Sequence, residues 1–409
     1  YYYDVNIRMK PSKELLNSKH FCILPFISSR IWHGHAVPCC RNHNVIFGNT
    51  LEQTVEDIYS PNNSVLNDFR NQLINGPKLP SSCSRCITAE QQGASSLRTV
   101  RNHQWAHTFD QIDFDDSGIV TENKIFFFDG VSFSNLCNLK CRMCHSFLST
   151  ASLDEERKHN LAPKHIAPVG YAPIQKMLDA SGTSEIKSFT DINVWYEFFK
   201  QNLQTVEEIH FEGGEPLMIE EQYKILEMLI DNQRTDVRLT YNTNMTKLTL
   251  KNYSAVNLWK HFTNVRINAS IDAIDEKNYY IRNPASWKDI WTNIDTIKTE
   301  CPNVVLNLDI TMQLLNCFSA ADLCKYARER AVFNNISLLF LQYPSYFSLQ
   351  TLSTEYKQRV QDHWENYKLQ VQGPEQHLAD VDGIMRMMWA VDNSKELPEF
   401  FTVSYTHLT

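Results

Sequence analysis

From Lys124 onward, short runs that alternate apolar and polar residues are separated by stretches with helical periodicity, the pattern of βαβ units feeding a parallel sheet. The alternation predicts strands over 125–133, 206–212, 237–244, 264–272, 304–313 and 336–342. Six strands fall short of the eight that close a full barrel, so the expected fold is α/β, a partial (β/α)6 TIM-like barrel. Between the fourth and fifth strands, Trp287, Ile290, Trp291, Ile294 and Ile297 recur at helical spacing and predict one apolar stripe laid on the sheet.

The third to fifth strands are two-faced. Val237, Leu239 and Tyr241 oppose Arg238, Thr240, Asn242 and Asn244; Val265, Ile267 and Ala269 oppose Asn268, Ser270 and Asp272; Leu306, Leu308 and Ile310 oppose Asn307, Asp309, Thr311 and Gln313. Helices must cover the apolar side. The polar side then lines the barrel interior, where unpaired buried polar groups cost about 1–3 kcal/mol each, so something polar is expected to occupy it. A solvent-facing antiparallel sheet is the plainer reading of the same pattern.

Before Lys124 the texture changes. Residues 20–100 are rich in Cys, Pro, Asn and Ser, with a single predicted helix over 51–58, and read as a small ligand-stapled module. Residues 146–190 carry few periodic signals and read as a loop-rich insertion covering the active face. Residues 354–369 predict a polar, exposed amphipathic helix. The expected organisation is a Cys-rich module over 1–120, a barrel over 121–345, a helical extension over 346–403 and a non-native tail over 404–409, because SYTHLT reads as a translated scar. A start at Tyr1 without Met reads as a fragment of a longer frame.

The chain has 409 residues with 39 basic and 47 acidic side chains, a net charge of −8, and no long basic block. That excludes an electrostatic nucleic-acid footprint. No apolar stretch approaches a membrane span and no signal segment opens the chain, so no membrane role and a cytoplasmic location are expected. Eleven cysteines in that setting point to metal or cluster ligation before disulfides. Cys301, Cys317 and Cys324 stand alone in apolar-patterned segments and are expected in the core.

Cys137, Cys141 and Cys144 are spaced C-x3-C-x2-C within SNLCNLKCRMCHS. Three thiolates can hold three irons of a cubane cluster and leave the fourth open to bind and reduce something else. Structural zinc wants a fourth ligand, and only His145 stands nearby, directly adjacent to Cys144. At the end of the second predicted strand stands HFEGGEP, residues 210–216. Paired glycines there let a ligand touch bare backbone, and exposed carbonyls with Glu215 can accept hydrogen bonds from an ammonium group.

Together CNLKCRMC and GGEP resemble the radical S-adenosylmethionine (SAM) superfamily. The resemblance implies that the amine and carboxylate of SAM chelate the cluster's open iron. Reduction of the sulfonium then yields a 5′-deoxyadenosyl radical, which removes a hydrogen atom from substrate. It implies Cys137, Cys141 and Cys144 as 4Fe-4S cluster ligands, and Gly213, Gly214 and Glu215 around the methionine amine. Met143 falls at the position lying against adenine, where the family often has an aromatic residue. Ser270 and Asp272 match polar residues that contact ribose and carboxylate, and Arg282 matches a frequent carboxylate partner. Asn242, Asn244, Gln313 and Asn316 are further candidates, equally readable as inward polar residues contacting substrate or water.

A second constellation joins Cys22, the Cys39–Cys40 pair, and Cys83-x2-Cys86. Four thiolates close a cluster completely. The text FCILPF, AVPCC and CSRC resembles the twitch auxiliary-cluster domain found beside some radical SAM barrels, here preceding the barrel. Cys22, Cys39, Cys83 and Cys86 are the favoured set, with Cys40 able to replace Cys39. Zinc competes, since His33, His35 and His43 flank the pair. The expected function is therefore a radical SAM oxidoreductase acting on a small polar metabolite and served by an electron donor such as flavodoxin or ferredoxin. Peptide modification is the second expectation, and a non-enzymatic zinc-binding interaction protein the alternative from another class.

Overall fold

The computed structural model describes residues 11–406 except 92, 94, 117, 162–181 and 372–374. The middle of the 146–190 insertion, on which the expected cover rests, and residues 407–409 of the predicted tail lie outside that set. Contacts divide the chain into two compact units, one drawn from Tyr1–Ser134, Lys187–Phe211 and Asp231–Val237, the other from Asn135–Ile186, Glu212–Ile230 and Arg238–Thr409.

The first unit carries three parallel strands, β1 (Ser28–Ser29), β2 (Phe127–Val131) and β3 (Glu208–Phe211). Ser28 lies opposite Phe127, and Phe127 opposite Glu208. Strand β2 is buried along its whole length, which is why FFFDG shows no alternation. Trp195 and Phe199, on the helix Ile192–Gln201, stack at 5.2 Å, and Phe128 and Phe133 meet Trp195 edge-on. Deeper in this unit Asp129 lies 3.3 Å from Arg30 Nη1 and 3.5 Å from His210 Nδ1, with Arg30 and Asp129 both buried. Burial alone would raise the Asp129 pKa, but the charges of Arg30 and His210 and the His210 hydrogen bond outweigh it and hold the carboxyl well below its usual range.

The second unit carries β4 (Arg238–Thr243), β5 (Val265–Ser270), β6 (Val304–Met312) and β7 (Asn335–Phe340). They run parallel, with Val265 opposite both Leu239 and Val304, and Leu308 opposite Ile336. The two-faced reading holds: Leu239, Tyr241, Val265, Ile267, Leu306, Leu308 and Ile310 are fully buried, while Asn242, Asn268, Asn307 and Asp309 are half-buried. The antiparallel reading is excluded. The helix Trp287–Glu300 buries Ile290, Trp291, Ile294 and Ile297, the expected stripe. His377, on the helix Glu375–Ala390, bonds Tyr367 Oη (2.9 Å) and the Ile336 carbonyl of β7 (3.2 Å).

Seven parallel strands alternating with helices give the expected α/β class; the strand not foreseen is β1, only two residues long. The single helix expected in 20–100 is the short Val55–Ile58, joined by Ser64–Asn75, Ser84–Gln91 and Leu97–Gln104. Ser64–Asn75 is capped by Asn63, whose Oδ1 accepts from Val65 N and Leu66 N, and buries Leu66, Phe69, Leu73 and Ile74 at helical spacing. The C-terminal helix Thr354–Gln370 is present but buries Val360, Trp364 and Tyr367, and the helices Glu375–Ala390 and Leu397–Thr406 follow it. Cys301, Cys317 and Cys324 are buried as expected. Among the described residues no helix is long and apolar enough to cross a membrane.

Asp129→Asn is expected to cost about 3–5 kcal/mol at pH 7, because it removes the carboxylate facing a buried guanidinium. The carboxyl pKa is depressed by folding, so this contribution is present above the usual carboxylate range and is lost only as pH falls through the depressed value. Urea denaturation of both proteins from pH 7 to 3 checks this; a wild-type advantage that fades already between pH 7 and 5 would contradict it.

Candidate functional site

The three-cysteine loop lies in the second unit and is tied down at both ends. Asn135 exchanges hydrogen bonds with Ile186, its Oδ1 accepting from Ile186 N (2.8 Å) and its N donating to Ile186 O (3.2 Å). Thr150 Oγ1 accepts from Cys137 N (3.2 Å) and donates to Cys137 O (3.1 Å). Cys137 and Cys141 are buried and Cys144 half-buried. Burial chiefly raises the Cys137 pKa, and the charges of Cys141, Glu215 and Cys144 add to it; the Leu139 N–H, 3.5 Å from the sulfur, opposes them.

The glycines of GGEP meet this loop directly. A Cβ on Gly214 would stand 2.2 Å from the Leu136 carbonyl oxygen, which only glycine avoids. Glu215 N donates to that same oxygen (2.8 Å). The Glu215 carboxylate is buried: Oε1 accepts from Thr243 Oγ1 (2.7 Å) and Leu217 N (3.1 Å), and Oε2 from Asn244 N (2.7 Å). Burial pushes its pKa up to about 7 against those hydrogen bonds. Asn244 Nδ2 also donates to Asn138 Oδ1 (3.1 Å), and Asn138 Nδ2 to Thr246 Oγ1 (2.9 Å), so the loop is held from the end of β4 as well.

The opposite edge of the loop runs along the segment containing Arg282. Lys140 N donates to Asn283 O (2.5 Å) and Arg142 N to Ile281 O (2.8 Å). The Arg142 guanidinium lies 4.2 Å from the Tyr280 ring centroid. Arg282 Nε donates to Asp272 Oδ2 (2.7 Å), and Asp272 Oδ1 accepts from Thr311 N (2.7 Å). Burial disfavours the Arg282 charge, but Asp272, Cys141 and Cys144 outweigh it and raise its pKa.

The residues expected around SAM thus divide. Gly213, Gly214, Glu215, Met143 and Arg282 belong to or adjoin the cysteine loop. Asp272 directs its carboxylate to Arg282 and the Thr311 N–H, so its part is to position Arg282. Ser270 is half-buried on the polar face, opposite Asp309. Asn316 accepts from Gln313 N (2.9 Å) and donates to Asp272 O (3.0 Å). Gln313 is fully buried, yet among the described residues neither its Oε1 nor its Nε2 has a partner. Such a group calls for a polar ligand or water. Thr150, Thr243 and Asn138 were not singled out from sequence; Asn138, lying between Cys137 and Cys141, carried the one available signal.

In the first unit, Cys22, Cys39, Cys83 and Cys86 line one pocket together with Arg41, Asn42, Arg85 and Arg98. Burial raises Cys22 most, followed by the charge of Cys39, with Cys83 and Cys86 adding; burial likewise pushes Cys39 up to about 12 and Cys83 to about 11. Asn42 Nδ2 donates to Cys83 Sγ (3.7 Å). Cys40 and the flanking His33, His35 and His43 do not line the cavity. Among the described residues no three His, Cys, Asp or Glu groups are drawn together tightly enough to hold a single metal ion.

Both donor sets suit an iron–sulfur cluster. They consist of soft thiols, and at Cys22, Cys39, Cys83 and Cys137 burial and the neighbouring thiols disfavour the negative charge until a cation joins them. Residues 131–312 match the family model described as the radical SAM superfamily, and residues 22–87 match that of an iron–sulfur cluster-binding domain. The chain thus carries a region of the radical SAM superfamily, residues 131–312, preceded by an iron–sulfur cluster-binding domain, residues 22–87.

Among solved structures it is similar to anSMEcpe with bound SAM, at 16% identity and TM-score 0.37 over 58% of this chain and 59% of that one. It is similar also to Streptococcus suis SuiB bound to SAM, at 14% identity and TM-score 0.37 over 74% and 62%, and to TYW1 with a lysine-pyruvate adduct, at 14% identity and TM-score 0.30 over 56% and 70%. The matched region therefore spans about three fifths of the length of anSMEcpe. No curated protein matches the chain.

The cavity lining separates the adjacent thiols. Cys39→Ala is expected to halve the iron of the anaerobically reconstituted protein from about eight to about four per chain, while Cys40→Ala leaves it unchanged. Iron assay of the two variants checks this, and the reverse order would make Cys40 the ligand.

Proposed function

We propose that the chain is a radical SAM enzyme that binds one cluster on Cys137, Cys141 and Cys144 and a second, twitch-like cluster on Cys22, Cys39, Cys83 and Cys86. When bound, the first cluster and SAM supply one-electron reductive cleavage of the sulfonium and, through it, hydrogen-atom abstraction from a substrate. The observation that carries this reading is the pinning of the three-cysteine loop against Gly214 and Glu215 on one side and the Arg282 segment on the other.

The chain's own residues then have distinct tasks. Gly213 and Gly214 leave backbone bare for the methionine amine. Glu215, fixed by Thr243 and Asn244, holds that turn in place. Arg282, oriented by Asp272, sets a permanent positive charge beside Cys141 and Cys144 and can take a carboxylate. That charge also stabilises thiolate ligation and tunes the site's potential. A cluster held on Cys22, Cys39, Cys83 and Cys86 would give an electron a place to enter or leave, which would suit an oxidation of a small polar metabolite with a flavodoxin or ferredoxin as donor.

Cys137→Ala is expected to abolish 5′-deoxyadenosine release when dithionite-reduced protein is given SAM, while the wild type releases it even without substrate. Chromatography of the nucleoside checks this. Undiminished release from the variant, or colourless wild-type protein with stoichiometric zinc after anaerobic purification, would overturn the reading.

A further inference from the structure

A buried ion pair joins the segments that carry the N-terminal cysteines. Glu90 stands four residues after Cys86 on the helix Ser84–Gln91, so both lie on one face of it. Arg98, on the helix Leu97–Gln104, reaches that carboxylate with two bonds, Nε to Glu90 Oε1 (2.9 Å) and Nη2 to Oε2 (2.6 Å). Ser96 Oγ donates to Oε1 as well (2.6 Å). Burial alone would raise the Glu90 pKa, but the hydrogen bonds from Arg98 and Ser96 outweigh it and lower it, so the carboxylate is ionised.

The third guanidinium nitrogen grips another segment. Arg98 Nη1 donates to Ser18 O (2.9 Å) and to Phe21 O (2.8 Å), the carbonyl just before Cys22. Asn102 lies one turn further along the same helix face. Its Nδ2 donates to Phe21 O (3.1 Å), and its Oδ1 accepts from Ile23 N (2.9 Å), just after Cys22. Cys22 is thus held on both sides by two buried side chains of one helix, through backbone atoms.

Arg98 also lines the pocket shared by Cys22, Cys39, Cys83 and Cys86, whereas Glu90 does not, so of this pair it is the cation that faces the thiols. Arg41 and Arg85 line the pocket too, but both are exposed, where solvent and salt screen a charge. Arg98 is buried, and its charge acts nearly unscreened. An apolar pair would join the two helices at least as well as a buried ion pair. What it would not supply is a fixed charge at the pocket.

We infer that Arg98 positions Cys22 and raises the redox potential of the cluster held on Cys22, Cys39, Cys83 and Cys86, and that Glu90 tempers this effect. One-electron reduction adds a negative charge to the site. A buried cation stabilises the reduced form and lifts the midpoint, and the carboxylate behind it works the other way. This assignment rests on the reading of these four cysteines as cluster ligands, and not on the hydrogen-abstraction chemistry.

Anaerobic redox titration of the reconstituted full chain, followed by electron paramagnetic resonance, reads the midpoint of the auxiliary signal, identified as the one lost in Cys22→Ala and kept in Cys137→Ala. Arg98→Met is expected to lower that midpoint and Glu90→Gln to raise it, because one removes the buried positive charge and the other the carboxylate that offsets it. A pair that serves only to hold the helices would shift neither midpoint, or both the same way, and either result overturns the inference while leaving the second cluster in place. Should Arg98→Met not fold by near-ultraviolet circular dichroism, Glu90→Gln decides alone: a raised midpoint supports the assignment, and an unmoved or lowered one overturns it. Absence of any second signal in the wild type overturns the auxiliary-cluster reading, and the inference with it.

Discussion

The arrangement depends on one close approach: the backbone at Leu136 packed against Gly214, with no room for a side-chain carbon and with the Leu136 carbonyl accepting the Glu215 N–H. A loop that must offer three sulfurs to one inorganic group cannot wander, because ligand geometry and solvent access set both affinity and potential. Here the loop is fixed through backbone atoms. The Thr150 hydroxyl grips Cys137 at its start, and the 281–283 segment bonds to Lys140 and Arg142 further along. The sulfur-bearing side chains stay available for ligation.

Charge is handled with the same economy. Cys22, Cys39, Cys83 and Cys137 lie where isolated negative charge is costly, and each set has cationic or hydrogen-bonding neighbours. Arg282 stands by Cys141 and Cys144, and Asn42 donates to Cys83 in a cavity also lined by Arg41, Arg85 and Arg98. Asp272 shows how such a neighbour is held. Its two oxygens go to Arg282 and to the Thr311 N–H, which fixes the guanidinium. Glu215 plays the matching part for the glycine turn.

Much of this was legible from sequence because it rests on period and spacing. The alternation in 237–244, 264–272 and 304–313 gave both the strands and their faces, and C-x3-C-x2-C gave the loop. Features that depend on tertiary contact were not readable. Two residues at Ser28–Ser29 make a strand only because Phe127 and Phe128 lie beside them. The helix Ser64–Asn75 was obscured by its Asn- and Gln-rich exposed face, although its apolar residues do keep helical spacing. Likewise, nothing in NASIDA says that Asp272 turns to Arg282, or in GGEP that the second glycine is demanded by a carbonyl seventy-eight residues earlier in the chain.

The central claim, that the loop leaves one iron open for SAM, is tested most directly by electron–nuclear double resonance. The reduced, reconstituted protein is mixed with SAM carrying nitrogen-15 in its amino group. The account predicts a hyperfine coupling between that nitrogen and the cluster, present in wild type and absent in Cys141→Ala. A cluster signal unchanged by SAM, with no nitrogen coupling, would contradict it.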